Sequence, residues 1–305
     1  MWKTSAPSDD YTKPAGPVDP HVYFIALRET GGAPISVYSA YSAHYAGDTC
    51  PGHISADYFG MYCEKLKQLL TSPEKDPPFV AMIANATSGD IGLNYAHFRH
   101  LKGPKGNYQR PRALADDLAD RVNNALTQVT WKDCAELDVR FREPDIAWRA
   151  IKPELLKWAK DVEARAPRLT EGNLPIAARW PTTREFVAPL SYAGRVQILA
   201  QATEPAKVPL QVMRIGDICI GTTPCETYTE VGQAFQRRSP FAQTFMVQLN
   251  HAYIGYLPTP RHFELGGYST WPGTASLEAQ ASENIVDHLL EMAGELKPCR
   301  DNTTN

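Results

Sequence analysis

The chain alternates short runs of apolar residues with longer segments in which apolar residues recur every three or four positions. Apolar or β-branched runs of about four to eight residues that end at Gly, Pro, Asn or Ser are typical of buried strands, and the longer recurrence is typical of helices. Strands are therefore predicted at 22–28, 35–43, 79–85, 136–142, 208–215, 217–222 and 244–250, and helices at 56–70, 112–127, 147–164, 184–201, 227–238 and 275–296. This alternation predicts an α/β fold with a mixed β-sheet core flanked by helices.

Four of the apolar runs lead directly into a side chain that can bind a metal or move a proton. The runs are 35–44 (ISVYSAYSAH), 79–90 (FVAMIANATSGD), 218–226 (ICIGTTPCE) and 245–256 (FMVQLNHAYIGY). Ligands of α/β folds bind where the loops at the carboxyl ends of the strands gather. His44, Asp90, Glu226 and Tyr256 are therefore expected to share one cleft. An imidazole, a carboxylate and a phenol in one cleft suit a divalent ion such as zinc.

The organisation of the chain predicts one domain with short extensions. Residues 1–20 are an extended, Pro-rich lead-in, residues 21–298 form the single α/β domain, and 299–305 are a tail. The Pro- and Thr-rich segment 166–190 is interpreted as an excursion from this domain. The polar stretch 87–109 is long for a loop inside a compact domain, so we expect a mobile cover over the cleft.

Composition excludes some partners. The net charge of −3, from 31 basic and 34 acidic residues, provides no basic surface for nucleic acid. No apolar stretch approaches the roughly 18–20 residues of a membrane-spanning helix, and the first 20 residues lack an export signal, so localisation is left open. The six cysteines have irregular spacing and are expected to be free thiols. Cys225, beside Glu226, is either a buried apolar residue or a ligand or nucleophile.

Five sequence blocks, in order, resemble the catalytic domain of neutral, non-lysosomal ceramidases. They are KPAGPVDPHVYFIAL, SAHYAGD with HISADYFG, NATSGDIGLN, PLQVMRIGDICIGTTPCETYTEVG and GYLPTPRHFELGGYSTWPGTAS. The chain is most similar to the shorter bacterial proteins grouped with that family, whose members are often secreted or periplasmic. The resemblance implies the ceramidase-type α/β domain and a zinc-dependent hydrolase of a linear amide, such as N-acyl sphingosine or a similar lipid amide.

The resemblance also implies roles for individual residues. The family binds zinc through two histidines, a glutamate and a tyrosine, and three of these positions match His44, Glu226 and Tyr256. Tyr268 matches a second family tyrosine that can hydrogen-bond the developing oxyanion. Asp90 is a further candidate catalytic residue, although capping of its own turn is an equally open role.

Two departures from the family lead us to expect impaired activity. No segment like the family's THTHSGP, which carries its other zinc histidine, occurs in this sequence. We therefore expect an upstream part of the family domain to be missing, and zinc binding to return in a longer chain that supplies it. The family's catalytic serine lies in a GDVSPN-like loop. Here the corresponding substrate loop contains Gly89, Gly92 and Asn94, with Gly92 in place of the serine.

Structural interpretations of the same residues remain open at this level. His44 could be a hydrogen-bonded core histidine, Glu226 a first-turn glutamate favoured by a helix dipole, and Tyr256 and Tyr268 packing aromatics. His251 could instead supply a ligand. Three functions are therefore compared: a ceramidase-type zinc amidase, a related metal hydrolase of another amide or ester, and a non-catalytic domain that binds lipid or a protein partner.

Overall fold

The computed structural model describes residues 14–45, 47–48, 50, 52–72, 78–92, 108–133, 135–165 and 180–296, with the backbone alone for 165 and 180–188. Within this part of the chain, no helix is both long enough and apolar enough to span a membrane. The tail and most of the polar stretch 87–109 lie outside the described residues, so the predicted mobile cover stays a prediction.

The first sheet lies in the amino-terminal part of the chain. Its strands are β1 (Val22–Arg28), β2 (Pro34–Tyr41) and β3 (Val80–Asn85), in that spatial order. β1 and β2 are antiparallel, whereas β2 and β3 are parallel and are connected through helix α1 (Asp57–Leu70). Helix α2 (Gln109–Leu126) packs beside α1, and their apolar faces bury one side of the sheet around Tyr58, Tyr62 and Leu118.

The second sheet has four strands in the order β10, β8, β7, β4. They are β4 (Leu137–Arg142), β7 (Leu210–Ile215), β8 (Ile218–Thr222) and β10 (Gln243–Val247). The turn at Gly216, with a φ of 60°, joins β7 and β8 into an antiparallel hairpin. β8 and β10 are parallel, and helix α5 (Thr229–Arg238) connects them. Helix α7 (Ala281–Glu295) packs with α5 in the largest core cluster.

Shorter elements complete the fold. They are β5 (Asp145–Ile146) with β6 (Ala206–Lys207), β9 (Glu226–Thr227) with β11 (Tyr256–Leu257), helices α3 (Pro153–Arg165), α4 (Trp180–Ala200) and α6 (Pro260–Leu265), and a 3-10 turn at Tyr268–Thr270. α3 and α4 pack against each other. The strand pair β9 and β11 carries two of the candidate site residues.

The two larger sheets meet through an apolar cluster between them. Tyr23 of β1 stacks on Phe245 of β10 at 5.0 Å between ring centroids. Ala86, directly after β3, forms an antiparallel bridge with Val247 at the end of β10. Because of this bridge, the segments that follow β3, β8 and β10 meet at one place in the molecule.

The predicted α/β class with a mixed sheet core and flanking helices is confirmed, although the core is divided between several sheets. Two helices were predicted too long at their amino ends: they begin at Pro153 rather than 147 and at Ala281 rather than 275. Both errors have one cause: the segments that precede the two helices pair with each other as extended chain. Trp148 bridges Leu277, and the N–H of Arg149 donates to Ser276 O at 2.9 Å.

Candidate active site

The short parallel strands β9 and β11 hold the acidic residue and a phenolic residue of the site side by side. Glu226 and Tyr256 are paired in register. The N–H of Glu226 donates to Gly255 O at 2.9 Å, and the N–H of Tyr256 donates to Thr274 O at 2.8 Å. Gly255 has a φ of 90°, and a β-carbon there would lie 2.3 Å from Thr274 O. Glycine is therefore required for this close approach of backbone to backbone.

His44 approaches the same carboxylate from the end of the first sheet. It follows β2, and its Nε2 lies 3.2 Å from Glu226 Oε2. The Tyr58 hydroxyl, at the start of α1, donates to the adjoining carbonyl of Ala43 at 3.1 Å and helps to fix this segment. The side chains of His44 and Glu226 are only 8% and 16% exposed. The structure thus brings a shielded imidazole and carboxylate together from distant parts of the sequence.

Two tyrosines contact the Glu226 carboxylate, and a third packs against one of them. The Tyr253 hydroxyl donates to Glu226 Oε1 at 2.9 Å, and the Tyr256 phenol also hydrogen-bonds this carboxylate. Tyr268 packs edge-to-face against Tyr256 with ring centroids 5.8 Å apart, and it is 41% exposed. Tyr268 is therefore partly open to solvent beside the site.

These contacts set the protonation of the cluster. Burial alone would raise the pKa of the Glu226 carboxyl, but hydrogen bonds from the imidazole and two phenols outweigh burial and leave the pKa below its ordinary value. Burial, followed by the hydrogen bond to Glu226 and the charge of that carboxylate, raises the pKa of Tyr253 to about 12, while the charge of Arg195 acts in the opposite direction. The same causes raise the pKa of Tyr256 further. The site at neutral pH is an ionised carboxylate that accepts from neutral phenols.

The Asp90 carboxylate contacts Thr229 at the start of helix α5 and not the Glu226 cluster. Its Oδ1 accepts hydrogen bonds from the N–H of Thr229 at 2.8 Å and from the Thr229 hydroxyl at 2.9 Å, at the start of helix α5. Its Oδ2 lies near Gly16, where a β-carbon would be 3.2 Å away. Asp90 therefore caps the start of α5 and not its own turn, which was the capping role expected from the sequence, and a part for Asp90 in catalysis stays a prediction.

The predicted substrate loop is only partly described. Gly89 donates its N–H to Thr227 O at 2.8 Å, and a β-carbon on Gly89 would lie 2.3 Å from Glu226 O. Gly92 is exposed, and Asn94 lies outside the described residues. Ser88 is fully buried, and its hydroxyl accepts from Gln248 Nε2 at 3.0 Å. It is therefore bound into the interior and does not take the place of the serine that Gly92 replaces.

Two other residues with candidate chemistry are held elsewhere. His251 Nε2 lies 2.6 Å from Gln211 Oε1, and its ring packs edge-to-face on Phe141, so these contacts are outside the Glu226 cluster. Burial raises the pKa of the Cys225 thiol to about 12, which leaves it protonated at neutral pH. Cys63, Cys219 and Cys225 are free thiols, as expected, and Cys134 and Cys299 are outside the described residues.

Sequence reasoning missed Tyr253 and Gln248. Gln248 is 4% exposed, and its Oε1 accepts from the N–H groups of both Ser88 and Thr227, at 3.1 and 2.9 Å. Tyr253 lies in an irregular segment in which Leu249 and His251 have positive φ values. The directions of side chains in such a segment do not follow a strand or helix period, so the pattern contained no signal for either contact.

The spacing of two candidate donors is compatible with a zinc ion. In a tetrahedral site with bonds of about 2.0–2.2 Å, two donor atoms are about 3.3 Å apart, close to the 3.2 Å between His44 Nε2 and Glu226 Oε2. The phenol oxygen of Tyr256, which hydrogen-bonds the Glu226 carboxylate, is the third candidate ligand atom. The described residues contain no metal-binding group of three His, Cys, Asp or Glu side chains, so the phenol is essential to this donor set.

The arrangement of sheets and helices defines the fold class as that of the neutral ceramidases. One solved structure with this fold is neutral ceramidase from Pseudomonas aeruginosa, with a TM-score of 0.64 and 18% identity over 94% of this chain and 48% of that chain. A second is a ceramidase complexed with C2, with a TM-score of 0.64 and 17% identity over 97% and 51% of the two chains. This chain thus spans about half the length of the solved structures it matches. No protein-family model and no curated protein matches the sequence.

Proposed function

We propose that the protein is a zinc-dependent hydrolase of ceramidase type that acts on a linear amide. One observation carries the proposal: His44 Nε2 and Glu226 Oε2 lie 3.2 Å apart, and the Tyr256 phenol is bonded to the same carboxylate. These are three of the four ligand positions that the family resemblance implies. The shared fold supports the assignment at the level of architecture.

In this proposal His44, Glu226 and Tyr256 hold the ion, and the remaining residues orient the amide. Zinc, when bound, supplies Lewis-acid polarisation of the carbonyl and activation of water. The water oxygen bonds to the carbonyl carbon, the C–N bond breaks, and the departing nitrogen takes up a proton from that water. The hydroxyl of the partly exposed Tyr268 is suited to donate to the developing oxyanion, a contact that stabilises the transition state.

We expect weak activity on ceramide. The donor set offers one nitrogen and two oxygens, and Gly92 provides no hydroxyl at the family's serine position. Loss of one preorganised catalytic group typically lowers the rate by about 10²- to 10³-fold. Gly92, together with the interior position of Ser88, favours a second candidate function, the hydrolysis of another amide or ester that needs no serine hydroxyl.

Zinc titration of the metal-free protein by calorimetry tests the proposal. We expect one equivalent of zinc to bind, and His44→Ala and Glu226→Gln to weaken binding by at least about tenfold because each removes a ligand. His251→Asn is the matched control, since it replaces a histidine that contacts Gln211 and Phe141 and Asn tolerates its positive φ.

Hydrolysis of a fluorogenic ceramide, a short N-acyl amine and an ester then separates the candidate functions. Turnover that depends on zinc and His44 supports a hydrolase, and the preferred substrate identifies which one. Zinc affinity that is unaffected by His44→Ala and Glu226→Gln would contradict the proposed site, and lipid binding without turnover would favour a non-catalytic role.

A further inference from the structure

An apolar cavity of about 440 Å³ lies beside the candidate site. It is lined by Trp158, Pro189, Tyr192, Gly267, Tyr268 and Trp271. Trp271 contacts two of the other aromatic rings edge-to-face, with centroids 5.8 Å from Trp158 and 5.5 Å from Tyr192. The volume falls within the range of about 300–1,000 Å³ for small-molecule pockets. Rings arranged in this way favour an aromatic or compact apolar guest, because edge-to-face contacts add to apolar burial.

The cavity adjoins the Glu226 cluster, because Tyr268 belongs to both. This tyrosine is part of the cavity wall, and its ring also contacts Tyr256, whose phenol bonds Glu226. A molecule with its reacting amide at Glu226 would therefore have its neighbouring substituent at the cavity. The cavity is thus placed to hold a part of the substrate.

A positive charge flanks the cavity wall. The guanidinium of Arg195 lies over the Tyr192 ring at 5.4 Å and donates to Thr274 Oγ1 at 2.9 Å. The carbonyl of Thr274 in turn accepts the N–H of Tyr256. Within the described residues Arg195 forms no ion pair with a carboxylate, so its charge is available to a ligand.

The position of Arg195 is fixed by close packing. Gly273 has a φ of 79°, and a β-carbon there would lie 2.4 Å from Arg195 Cβ. Helix α4 therefore lies directly against the turn that carries Trp271 and Thr274. The cavity and the cation consequently form one preorganised surface on the same side of the candidate site.

From this arrangement we propose that the substrate is an N-acylated amino acid with an apolar or aromatic side chain, its carboxylate bound by Arg195 and its side chain in the aromatic cavity. This inference rests on the proposed amide hydrolase function. The carboxylate and the side chain of an amino acid are attached to one carbon, as the flanking positions of cation and cavity require. A guanidinium binds a carboxylate through charge-assisted hydrogen bonds, whereas a neutral lipid amide offers it no such partner.

Calorimetry with three probes tests the proposed ligand class on chelator-treated protein, where binding is measured without turnover. The probes are N-acetylphenylalanine, its neutral analogue N-acetylphenylalaninamide, and N-acetylglycine. We expect the first to bind at least about tenfold more tightly than either of the others, since the second lacks the charge and the third lacks the apolar group.

Variants of Arg195 test whether its charge causes the expected preference for N-acetylphenylalanine over the neutral amide. Arg195→Gln should bind the acid and the neutral amide equally, and Arg195→Lys should restore part of the difference. Arg28→Gln is the matched control, because the Arg28 guanidinium also lies over an aromatic ring, Trp131 at 4.0 Å, but belongs to the first sheet. Circular dichroism of each variant checks that the fold is retained.

The outcomes separate this inference from the proposed function. Equal binding of acid and neutral amide by the unmodified protein, absence of binding, or a preference that survives in Arg195→Gln overturns the ligand class. The expected binding pattern without release of phenylalanine after zinc is added would leave the ligand class standing and refute the hydrolase. Release of phenylalanine that depends on Arg195 and His44 supports both.

Discussion

At the scale of single residues, the site depends on glycines that allow backbones to touch. Gly89 is in contact with the backbone of Glu226, and Gly255 is in contact with that of Thr274. Neither contact involves a flexible side chain that could move aside. The position of the Glu226 carboxylate is therefore determined by residues that have no side chain of their own.

Gly89→Ala tests this dependence. The added β-carbon would lie 2.3 Å from Glu226 O, so the backbone must shift, and we expect the free energy of unfolding to fall by about 1–3 kcal/mol and zinc affinity to fall with it. Urea unfolding and zinc titration provide the two measurements. Gly31→Ala is the control, since a β-carbon there meets nothing within 4 Å. Similar unfolding free energies for the two variants would show that the contact is not restrictive.

The sequence predicted where three site residues lie but did not predict the orientation of Asp90. His44, Glu226 and Tyr256 follow apolar runs, so strand periodicity was enough to expect them at one edge, and the structure brings them together. The orientation of Asp90 toward Thr229 depends on how helix α5 is placed in space. Such tertiary placement is not encoded in the spacing of apolar residues.

At the scale of elements, helix α5 begins without a cap of its own. Tyr228 occupies its N-cap position and makes no side-chain cap hydrogen bond. Asp90, from the segment after β3, accepts the N–H of Thr229 instead. The first turn of a helix leaves N–H groups without partners and favours a negative charge nearby. Asp90 thus couples the start of α5 to the first sheet.

Substitution at Asp90 distinguishes a capping role from a catalytic one. Asp90→Ala should lower the free energy of unfolding by about 0.5–2 kcal/mol, whereas Asp90→Asn, which keeps an acceptor oxygen, should retain most of it. Thermal and urea unfolding measure stability, and amide hydrolysis measures activity. If Asp90→Asn is stable and yet inactive, the carboxylate itself takes part in the reaction and capping is not its main role.

At the scale of the whole molecule, helix α6 links separated parts of the chain through Arg261 and carries a buried histidine beside it. His262 of helix α6 is 3% exposed, and its Nδ1 lies 2.6 Å from Thr259 Oγ1. Arg261, beside it, bonds both Glu230 of α5 and the carbonyl of Ala15 in the lead-in. Burial lowers the pKa of His262, against the opposing effect of the Glu230 charge.

Acid should therefore weaken the fold through His262. Below about pH 6.5, the ordinary histidine value, the unfolded chain takes up a proton that the folded chain excludes until its lower pKa is reached, so stability is lost across that window. His262→Gln should make the free energy of unfolding less dependent on pH over the same window. Urea unfolding at several pH values measures this dependence, and an unchanged slope in the variant would assign the acid sensitivity to other groups.

The buried amide of Gln248 connects two segments of the site. Its oxygen accepts the N–H groups of Ser88 and Thr227, and its nitrogen donates to the Ser88 hydroxyl. Ser88 precedes Gly89, and Thr227 follows Glu226, so a single side chain joins the two segments whose contact positions the carboxylate. A departure of Gln248 would release both backbone N–H groups in the same opening event. We therefore expect the segments that carry Ser88 and Thr227 to lose their order together when Gln248 is displaced.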